Sequence, residues 1–369
     1  MTPEEFLRQQ AEEASSRGRA KPNGLDDSNE DQILLRNGAD LTMQKIDWHW
    51  KGWLSCGKFH LLAGSKGAGK STICFDLMAT TTIGAKWPDG TEAPIGDVLV
   101  WSGEDDTEDT ILPRFVAAGG DPKRLHIIQG TMTNGIARPF DPSADIPALI
   151  RQARDLPDLK MAMIDPVVLA LPSKADSHKN TETRRGLQPL VDFAAERGLV
   201  LIGVTHFTKG TADRDPVERV TGSLAFAALA RIVLGASADE DGHQRRLVRI
   251  ASNIGPSGGG FEYTIFHAPL PEHDFSAQRI QWGTMLKGAP KDLLSGHQRS
   301  AQADASAFLT EVLKDGPQSA KEVKAAADAH GHSWATIRRA QVRLDIKPMK
   351  DGDQWVWQLP PKMSTFVPD

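Results

Sequence analysis

The sequence predicts an α/β protein in which a parallel sheet carries helices on both faces. Apolar runs indicate buried strands at residues 58–63, 97–101, 125–128, 160–165 and 198–205. Helical spacing of apolar residues is found at 71–79, 110–118, 145–155 and 181–197. Strands that alternate with helices are typical of a parallel sheet covered on both sides.

Three further stretches follow this alternating part. Residues 224–234 fit an apolar helix or strand, and residues 245–253 and 260–267 fit two strands. The turn residues at 255–259 are compatible with an antiparallel hairpin between those two strands. From 287 to 304 the composition shifts to Gly, Pro, Ser, Gln and Lys, which predicts a linker.

The C-terminal part has a pattern of its own. Helices are predicted at 305–313, 320–329 and 334–344, the last with Ser333 as its N-cap. Two strands joined by an Asp-Gly turn follow, which completes the order of a small winged helix-turn-helix domain. The predicted segments are an N-terminal arm (1–40), the α/β domain (41–286), the linker (287–304), the winged-helix domain (305–361) and a tail (362–369).

Composition limits the class of protein. The 369 residues are 40% apolar and 25% charged, which is ordinary for a globular chain. The net charge of −5 gives no overall attraction to nucleic acid, so any DNA contact must come from local basic patches. Cys56 and Cys74 have no metal-ligand spacing, and the sequence shows neither a signal core nor a membrane-length apolar run. We therefore expect a cytoplasmic protein without membrane contact.

The clearest chemistry follows the first predicted strand. Residues 64–71 fit the template G-x-x-x-x-G-K-[ST] at every fixed position and lie between a strand and a helix. This context aims backbone N–H groups and a helix N-terminus at one anion. Lys70 is predicted to reach the β- and γ-phosphates of a nucleoside triphosphate, and Ser71 to ligate Mg²⁺. The candidate nucleotide site comprises Gly64, Ser65, Lys66, Gly67, Ala68, Gly69, Lys70, Ser71 and Thr72.

Two acidic positions follow other predicted strands. Asp165 ends the fourth strand, at the edge where parallel sheets bind ligands, and is predicted to hold Mg²⁺ together with Ser71. Glu104 follows the second strand and is predicted to orient and polarise the attacking water. Three neighbouring acids compete with Glu104: Asp105, Asp106 and Glu108. They either cap the following helix and lie in its first turn, or one of them is the base itself.

A polar pair and two groups of basic residues complete this edge. Thr205 and His206 end the fifth strand, where they would sense the γ-phosphate or hold Glu104; a plain strand-end histidine is the alternative. The basic residues of the two following loops are Lys174, His178, Lys179, Arg184 and Arg185, and then Lys209, Arg214 and Arg219. These loops would face DNA or enter a neighbouring subunit's nucleotide site, where an arginine supplies about 10³–10⁵ in rate. Solvated surface charge is the alternative.

The C-terminal part carries basic residues as well. Arg338, Arg339 and Arg343 lie on its third predicted helix, with Lys347 and Lys350 around the hairpin. Basic residues on such a helix and wing bind DNA phosphates. The charge is diluted by Asp345, Asp351 and Asp353, so a winged helix that docks a protein is the alternative.

In their order along the chain, these motifs resemble those of RecA-like ATPases, specifically the RepA-type hexameric helicases of plasmids, phages and mobile elements. The resemblance rests on residues 64–71, 98–106, 163–166, 204–210, 222–223, 252–256 and 258–261, with Arg231. It implies a RecA-like sheet, ATP and Mg²⁺ as cofactors, and a homo-oligomer, favouring a hexamer, with DNA in a central channel. It also implies that Glu104 is the catalytic base and His206 the sensor.

One position departs from the family pattern. The RepA-type proteins tend to carry a trans-acting arginine directly before the Gly-Ser pair, where this chain has Thr221. The nearest upstream arginine is Arg219, and Arg231 matches a later arginine of the pattern. The trans-acting residue is therefore open.

Together with the ATPase residues, this resemblance implies an ATP-hydrolysing, ring-forming DNA motor, of the replicative helicase kind. An ATP-dependent DNA-binding initiator or regulator of a mobile element is the alternative, because it would share every ATPase residue. A small-molecule kinase fits less well, since it needs an acceptor pocket rather than the water-orienting Glu104.

Overall fold

The computed structural model describes residues 35–171, 180–208, 211, 214–220, 224–239, 244–270, 273–352 and 354–360. Its strands are β1 (Trp48–Trp50), β2 (Leu54–Ser55), β3 (Lys58–Gly64), β4 (Asp97–Ser102), β5 (Leu125–Ile127), β6 (Thr131–Thr133), β7 (Ile136–Arg138), β8 (Leu159–Asp165), β9 (Val200–His206), β10 (Ile232–Ala238), β11 (Arg245–Ser252), β12 (Gly260–Pro269), β13 (Ser276–Leu286), β14 (Gln318–Ser319), β15 (Met349–Asp351) and β16 (Gln354–Trp357).

Helices connect and cover these strands. They are α1 (Lys70–Ile83), α2 (Leu112–Ala117), α3 (Ile146–Ala153), α4 (Asn180–Arg197), α5 (Leu224–Leu229), α6 (Pro290–Val312), α7 (Ala320–Ala329) and α8 (Trp334–Arg343). Single 3₁₀ turns lie at Gly38–Asp40, Pro122–Arg124 and Val167–Ala170, and a π-helical turn lies at Thr107–Ile111.

A nine-stranded sheet forms the centre, in the order β13-β12-β11-β10-β3-β9-β8-β4-β5. Strands β10, β3, β9, β8, β4 and β5 run parallel to their neighbours in this series. Both faces are covered: Phe59 and Leu61 of β3 share a buried cluster with Phe193 of α4, whereas Leu62 shares another with Ile73 of α1. The α/β prediction with a largely parallel, helix-covered sheet is therefore confirmed.

The parallel strands β3, β9, β8 and β4 end at one edge of the sheet. Gly64 pairs with His206 at the ends of β3 and β9, and Ser102 pairs with Asp165 at the ends of β4 and β8. Chain segments that are far apart in sequence therefore leave the sheet side by side.

The other end of the sheet is antiparallel, through β10, β11, β12 and β13. The predicted antiparallel pairing of the strands at 245–253 and 260–267 is confirmed by β11 and β12. The stretch 224–234 was expected to be a helix or a strand, and it contains both: α5 comes first and β10 then begins. Strand β13 was not predicted, because only Ala277 and Ile280 of its residues are buried and the rest of it lacks an apolar pattern.

The predicted linker at 287–304 requires a correction, because α6 runs through it from Pro290 to Val312. Pro290 at the first helical position suits a helix start. Leu293 and Leu294 pack into the cluster that also holds Phe193, while Leu309 packs into a separate C-terminal cluster. Burial at both ends of the helix outweighs the turn-forming composition between them.

Beyond α6, the C-terminal part contains α7, α8 and a small sheet in the order β14-β16-β15. Ser333 caps α8 by accepting a hydrogen bond from the Thr336 N–H, as predicted. Strand β14 had not been predicted, because it has only two residues. Within the described ranges, no helix is long and apolar enough to cross a membrane. Most of the predicted arm and all of the tail, 1–34 and 362–369, lie outside the described residues.

Candidate active site

The phosphate loop lies at the edge where the four parallel strands end. Gly64 closes β3, and a Cβ there would come within 2.5 Å of the Ala236 carbonyl oxygen on the adjacent β10. Gly69 has φ of +78° and stands directly before α1, a left-handed conformation that suits glycine. The first N–H groups of α1 have no partner inside the helix, so they are available to an anion.

Lys70 begins α1 and is buried. Its Nζ lies 3.1 Å from Nδ1 of His206 and 3.5 Å from the Ser65 carbonyl oxygen. Burial lowers the pKa of Lys70, and the carboxylates of Asp165 and Glu104 oppose that shift. The cation is therefore held at the centre of the site by groups from β9 and from the loop itself.

His206 contributes a ring with a defined donor and acceptor. An ammonium group only donates, so Nδ1 accepts from Lys70 and a neutral ring carries its proton on Nε2. Burial and the Lys70 charge both lower the pKa of His206. A neutral imidazole with an Nε2–H donor is the form that results at neutral pH.

Ser71 and Asp165 form the second close pair. The Ser71 hydroxyl donates to Oδ2 of Asp165 at 2.6 Å. Burial raises the pKa of Asp165 to about 6, the Glu104 charge adds to this, and the Ser71 hydrogen bond opposes it. The predicted partners for Mg²⁺ are thus adjacent.

Glu104 is exposed, just beyond β4. The hydroxyl of Ser102 accepts the N–H groups of Glu104 and Asp105, which fixes the turn after the strand. The Glu104 carboxylate is close enough to shift the pKa values of Lys70, Asp165 and His206. Its side chain has no hydrogen bond or ion pair among the described residues.

The neighbouring acids have other partners. Asp105 forms a 3.2 Å ion pair with Arg114. Asp106 caps the π-helical turn by accepting the N–H groups of Glu108 and Asp109. Of the acids that the sequence left in competition for the base, Asp105 and Asp106 have structural contacts that Glu104 lacks. Glu108 lies one turn further on, within the π-helical turn.

The basic candidates for trans action are separated by the fold. Arg219 stacks over the Phe207 ring at 4.5 Å, and its carbonyl oxygen accepts the Thr208 N–H, so it lies just beyond the end of β9, at the phosphate-loop edge. The Arg231 N–H donates to the Phe59 carbonyl oxygen, at the opposite end of β3. Gly64 lies five residue steps along the strand from Phe59, or about 16 Å. Arg184 is exposed on α4, together with Arg185. Arg214 is exposed in the loop after β9, whereas Lys174, His178, Lys179, Lys209 and Thr221 lie outside the described residues.

The C-terminal candidates lie on one helix. Arg338 and Arg339 are exposed on α8, as is Arg343. Arg338 donates to Oε1 of Gln341 at 2.9 Å and lies 5.7 Å from the centre of the Trp357 ring. Trp355 on the neighbouring hairpin is 59% exposed.

Sequence reasoning missed the side chains that contact the phosphate loop and α1 from the antiparallel strands. The Tyr263 hydroxyl donates to the Ala68 carbonyl oxygen at 2.5 Å, and Trp282 Nε1 donates to Asp76 at 2.7 Å. Alternation along β12, which places Phe261, Tyr263 and Ile265 on one face, is the only sequence signal for this contact.

A phosphate loop between a parallel strand and a helix, with acids on two neighbouring strand ends, defines a P-loop ATPase domain. Residues 29–212, just under half of the chain, match a family model described as an AAA domain, which supports that class. Among solved structures, the crystal structure of the RadB recombinase is similar over 58% of this chain and 89% of that chain, with 13% identity and a TM-score of 0.41. No curated protein matches the sequence significantly.

Proposed function

We propose that the chain is an ATP-hydrolysing, ring-forming DNA motor with a RecA-like fold, of the replicative helicase kind. The observation that carries the ATPase part is the convergence of Lys70, Ser71, Asp165, His206 and Glu104 at one sheet edge. These residues come from the carboxyl ends of three adjacent parallel strands, β9, β8 and β4, and from α1, the helix that follows β3.

The residues present fit Mg²⁺. The Ser71 hydroxyl and the Asp165 carboxylate are both oxygen ligands, they are 2.6 Å apart, and Mg²⁺ prefers one or two such groups with phosphate and water completing its shell. In complex with ATP, the ion would neutralise charge on the β- and γ-phosphates.

The side chains divide the remaining work. Lys70 would bind the β- and γ-phosphate oxygens, and the Nε2–H of His206 would donate to the γ-phosphate. The Glu104 carboxylate would accept a proton from the attacking water as the new O–P bond forms and the bond to the bridging oxygen breaks. ADP and inorganic phosphate would be released.

Ring formation and DNA translocation rest on the resemblance and on the placement of the arginines. Arg231 lies about 16 Å along the sheet from its own phosphate loop, so it would reach a γ-phosphate only on another subunit. Arg219 lies at the phosphate-loop edge and is the second candidate for that role.

A forked-duplex unwinding assay tests the motor. Wild-type protein with ATP and Mg²⁺ is expected to displace a strand, with ATPase activity that rises when DNA is added. Glu104→Gln should bind the fork and ATP but displace nothing. Wild-type protein that hydrolyses ATP without ever displacing a strand would refute the motor.

An initiator or regulator without unwinding activity is the second candidate. The observation in its favour is the exposed surface of α8 with Arg339 and Arg343, beside the exposed Trp355. We propose that residues 305–361 form a winged helix that binds duplex DNA, and that Arg339 contacts a phosphate.

Arg339→Ala in the full chain separates the two candidates. A regulator would lose about tenfold in duplex affinity at moderate salt, with a shallower salt dependence, and would show no unwinding to begin with. A motor that holds DNA in its ring would retain most of its fork unwinding in the same variant. Asp351→Ala, on the hairpin beside α8, is the matched control and should weaken neither activity.

A further inference from the structure

The phosphate loop is in contact with β12, a strand of the antiparallel half of the sheet. Tyr263, the sequence's only tyrosine, is buried, and its hydroxyl donates to the carbonyl oxygen of Ala68 at 2.5 Å. Ala68 is fully buried, so the tyrosine provides a partner that solvent does not. The two residues are 195 positions apart in the chain.

This hydrogen bond sets the direction of the next peptide N–H. In a trans peptide the C=O and the following N–H point in opposite directions. Because Tyr263 holds the Ala68 carbonyl towards β12, the Gly69 N–H is turned away from β12, towards the concave side of the loop. That is the side on which a phosphate-binding loop presents its N–H groups.

A second contact from the same strand reinforces the first. Cδ1 of Ile265 lies 2.2 Å from the position that a Cβ on Gly69 would occupy. Strand β12 therefore contacts two consecutive residues, Ala68 and Gly69, at the turn into α1. Burial raises the pKa of Tyr263, so its hydroxyl stays a donor across the physiological pH range.

We propose that Tyr263 is a positioning residue for nucleotide binding, whose hydroxyl fixes the Ala68–Gly69 peptide so that its N–H faces the β-phosphate. The proposal rests on the assignment of the loop to ATP. The Tyr263 hydroxyl contacts the loop and not the water that Glu104 would activate. Its loss should therefore change the affinity for ATP and ADP alike rather than the rate of the chemical step.

Tyr263→Phe is the test, because it deletes one hydroxyl and retains the ring. Titration calorimetry is expected to show Kd for both ATP and ADP raised by about 5–30-fold, because the buried Ala68 carbonyl without its partner favours loop conformations in which the Gly69 N–H no longer faces the phosphate. The turnover number at saturating ATP should change by less than about threefold, so that the loss falls on KM. Ile265→Val, which trims the atom beneath Gly69, should raise both Kd values by about 2–5-fold.

Trp282→Phe is the matched control. It removes the hydrogen bond to Asp76 of α1, away from the loop, and retains an aromatic ring beside Tyr263, whose ring centre lies 5.7 Å from that of Trp282. It should lower the midpoint of thermal unfolding while leaving both Kd values within about twofold of wild type. A merely structural Tyr263 would behave in the same way.

Three outcomes decide the question. Unchanged Kd values in Tyr263→Phe overturn the proposal, and so does an equal weakening in Trp282→Phe. Should Tyr263→Phe fail to fold, the milder Ile265→Val decides, and wild-type affinity there refutes the proposal. A wild-type protein that binds both nucleotides but never hydrolyses ATP or unwinds DNA would refute the proposed motor. The ratio of the Tyr263→Phe Kd to the wild-type Kd would still test the role of Tyr263.

Discussion

The two halves of the central sheet serve the candidate site in different ways. The parallel half brings polar side chains to its edge, where Lys70, Asp165 and His206 are connected by short contacts or by charge. The antiparallel half supports the loop through β12, where the Tyr263 hydroxyl donates to Ala68 and Ile265 packs against Gly69. Parallel strands present all their carboxyl ends at one edge, whereas antiparallel neighbours alternate. Chemistry is therefore expected to depend on the first half and precision of binding on the second.

The largest effect should come from Lys70→Ala, which removes the cation from the parallel edge. Affinity for ATP should fall by about 10³-fold, because no other described cation is buried beside the loop and charge-assisted contacts are the strong ones. Binding of a fluorescent ATP analogue measures this. Lys66→Ala removes an exposed positive charge from the same loop and should cost much less. Equal losses in the two variants would mean that general charge, not the buried lysine, binds the phosphates.

Glu104→Gln should have the next largest effect. The turnover number should fall by about 10²–10⁴-fold, since the amide cannot accept the proton of the attacking water, while ATP affinity stays within a few-fold. Asp105→Asn, which breaks only the Arg114 ion pair, should lose less than about tenfold. Single-turnover hydrolysis compares the two, and the reverse ranking would move the base to Asp105.

A tenfold effect is expected from pH through Asp165. Its pKa is raised to about 6, so the carboxylate that would hold Mg²⁺ is mostly ionised at pH 7 and mostly protonated at pH 5. The apparent affinity for Mg²⁺ in ATP binding should fall by about tenfold between those values. The residual pH dependence in Asp165→Asn reports the nucleotide's own titration. If the apparent Mg²⁺ affinity of wild type changed no more steeply with pH than that of Asp165→Asn, Asp165 would not be the titrating Mg²⁺ ligand.

The smallest effect concerns stability at the link between the two halves, where Trp282 of β13 donates to Asp76 of α1. Burial raises the pKa of Asp76 to about 6, opposed by the Trp282 hydrogen bond and the Arg279 charge. A raised folded-state pKa means that stability present below the unfolded value of 3.8 is lost as pH rises through about 6.

Asp76→Asn should therefore raise the free energy of unfolding at pH 8 by about 1–3 kcal/mol, because it keeps an acceptor for Trp282 and removes a buried charge. Urea unfolding should show a smaller gain at pH 5 and almost none below pH 4. ATP turnover should hardly change. A destabilised variant at pH 8 would show that the ionised carboxylate is needed for the contact.

The parallel half was predictable from sequence because its signals are local. The phosphate-loop template, the apolar strands and the polar residues at their ends are each contained in fewer than ten consecutive residues, so Asp165 and His206 were placed at the right edge. The sequence did not show that a neighbouring carboxylate has another partner, as Asp105 has in Arg114.

The antiparallel half and the connection beyond it were less predictable. The Tyr263 contact joins residues 195 positions apart, and no local pattern encodes such a pair. Strand β13 carries too few buried residues to be recognised. The 287–304 stretch has the composition of a turn, although most of it lies in α6, whose two ends pack into different clusters. In each case, packing with distant residues decided the outcome.

The helix that replaces the predicted linker has a mechanical consequence. A flexible tether of that length would absorb a displacement at one end, whereas a continuous helix of 23 residues, about 35 Å long, behaves as a stiff rod. Leu293 seats one end against the sheet's core, and Leu309 seats the other in the C-terminal cluster. A tilt of the sheet would therefore move α6 as a unit and displace the C-terminal module with it.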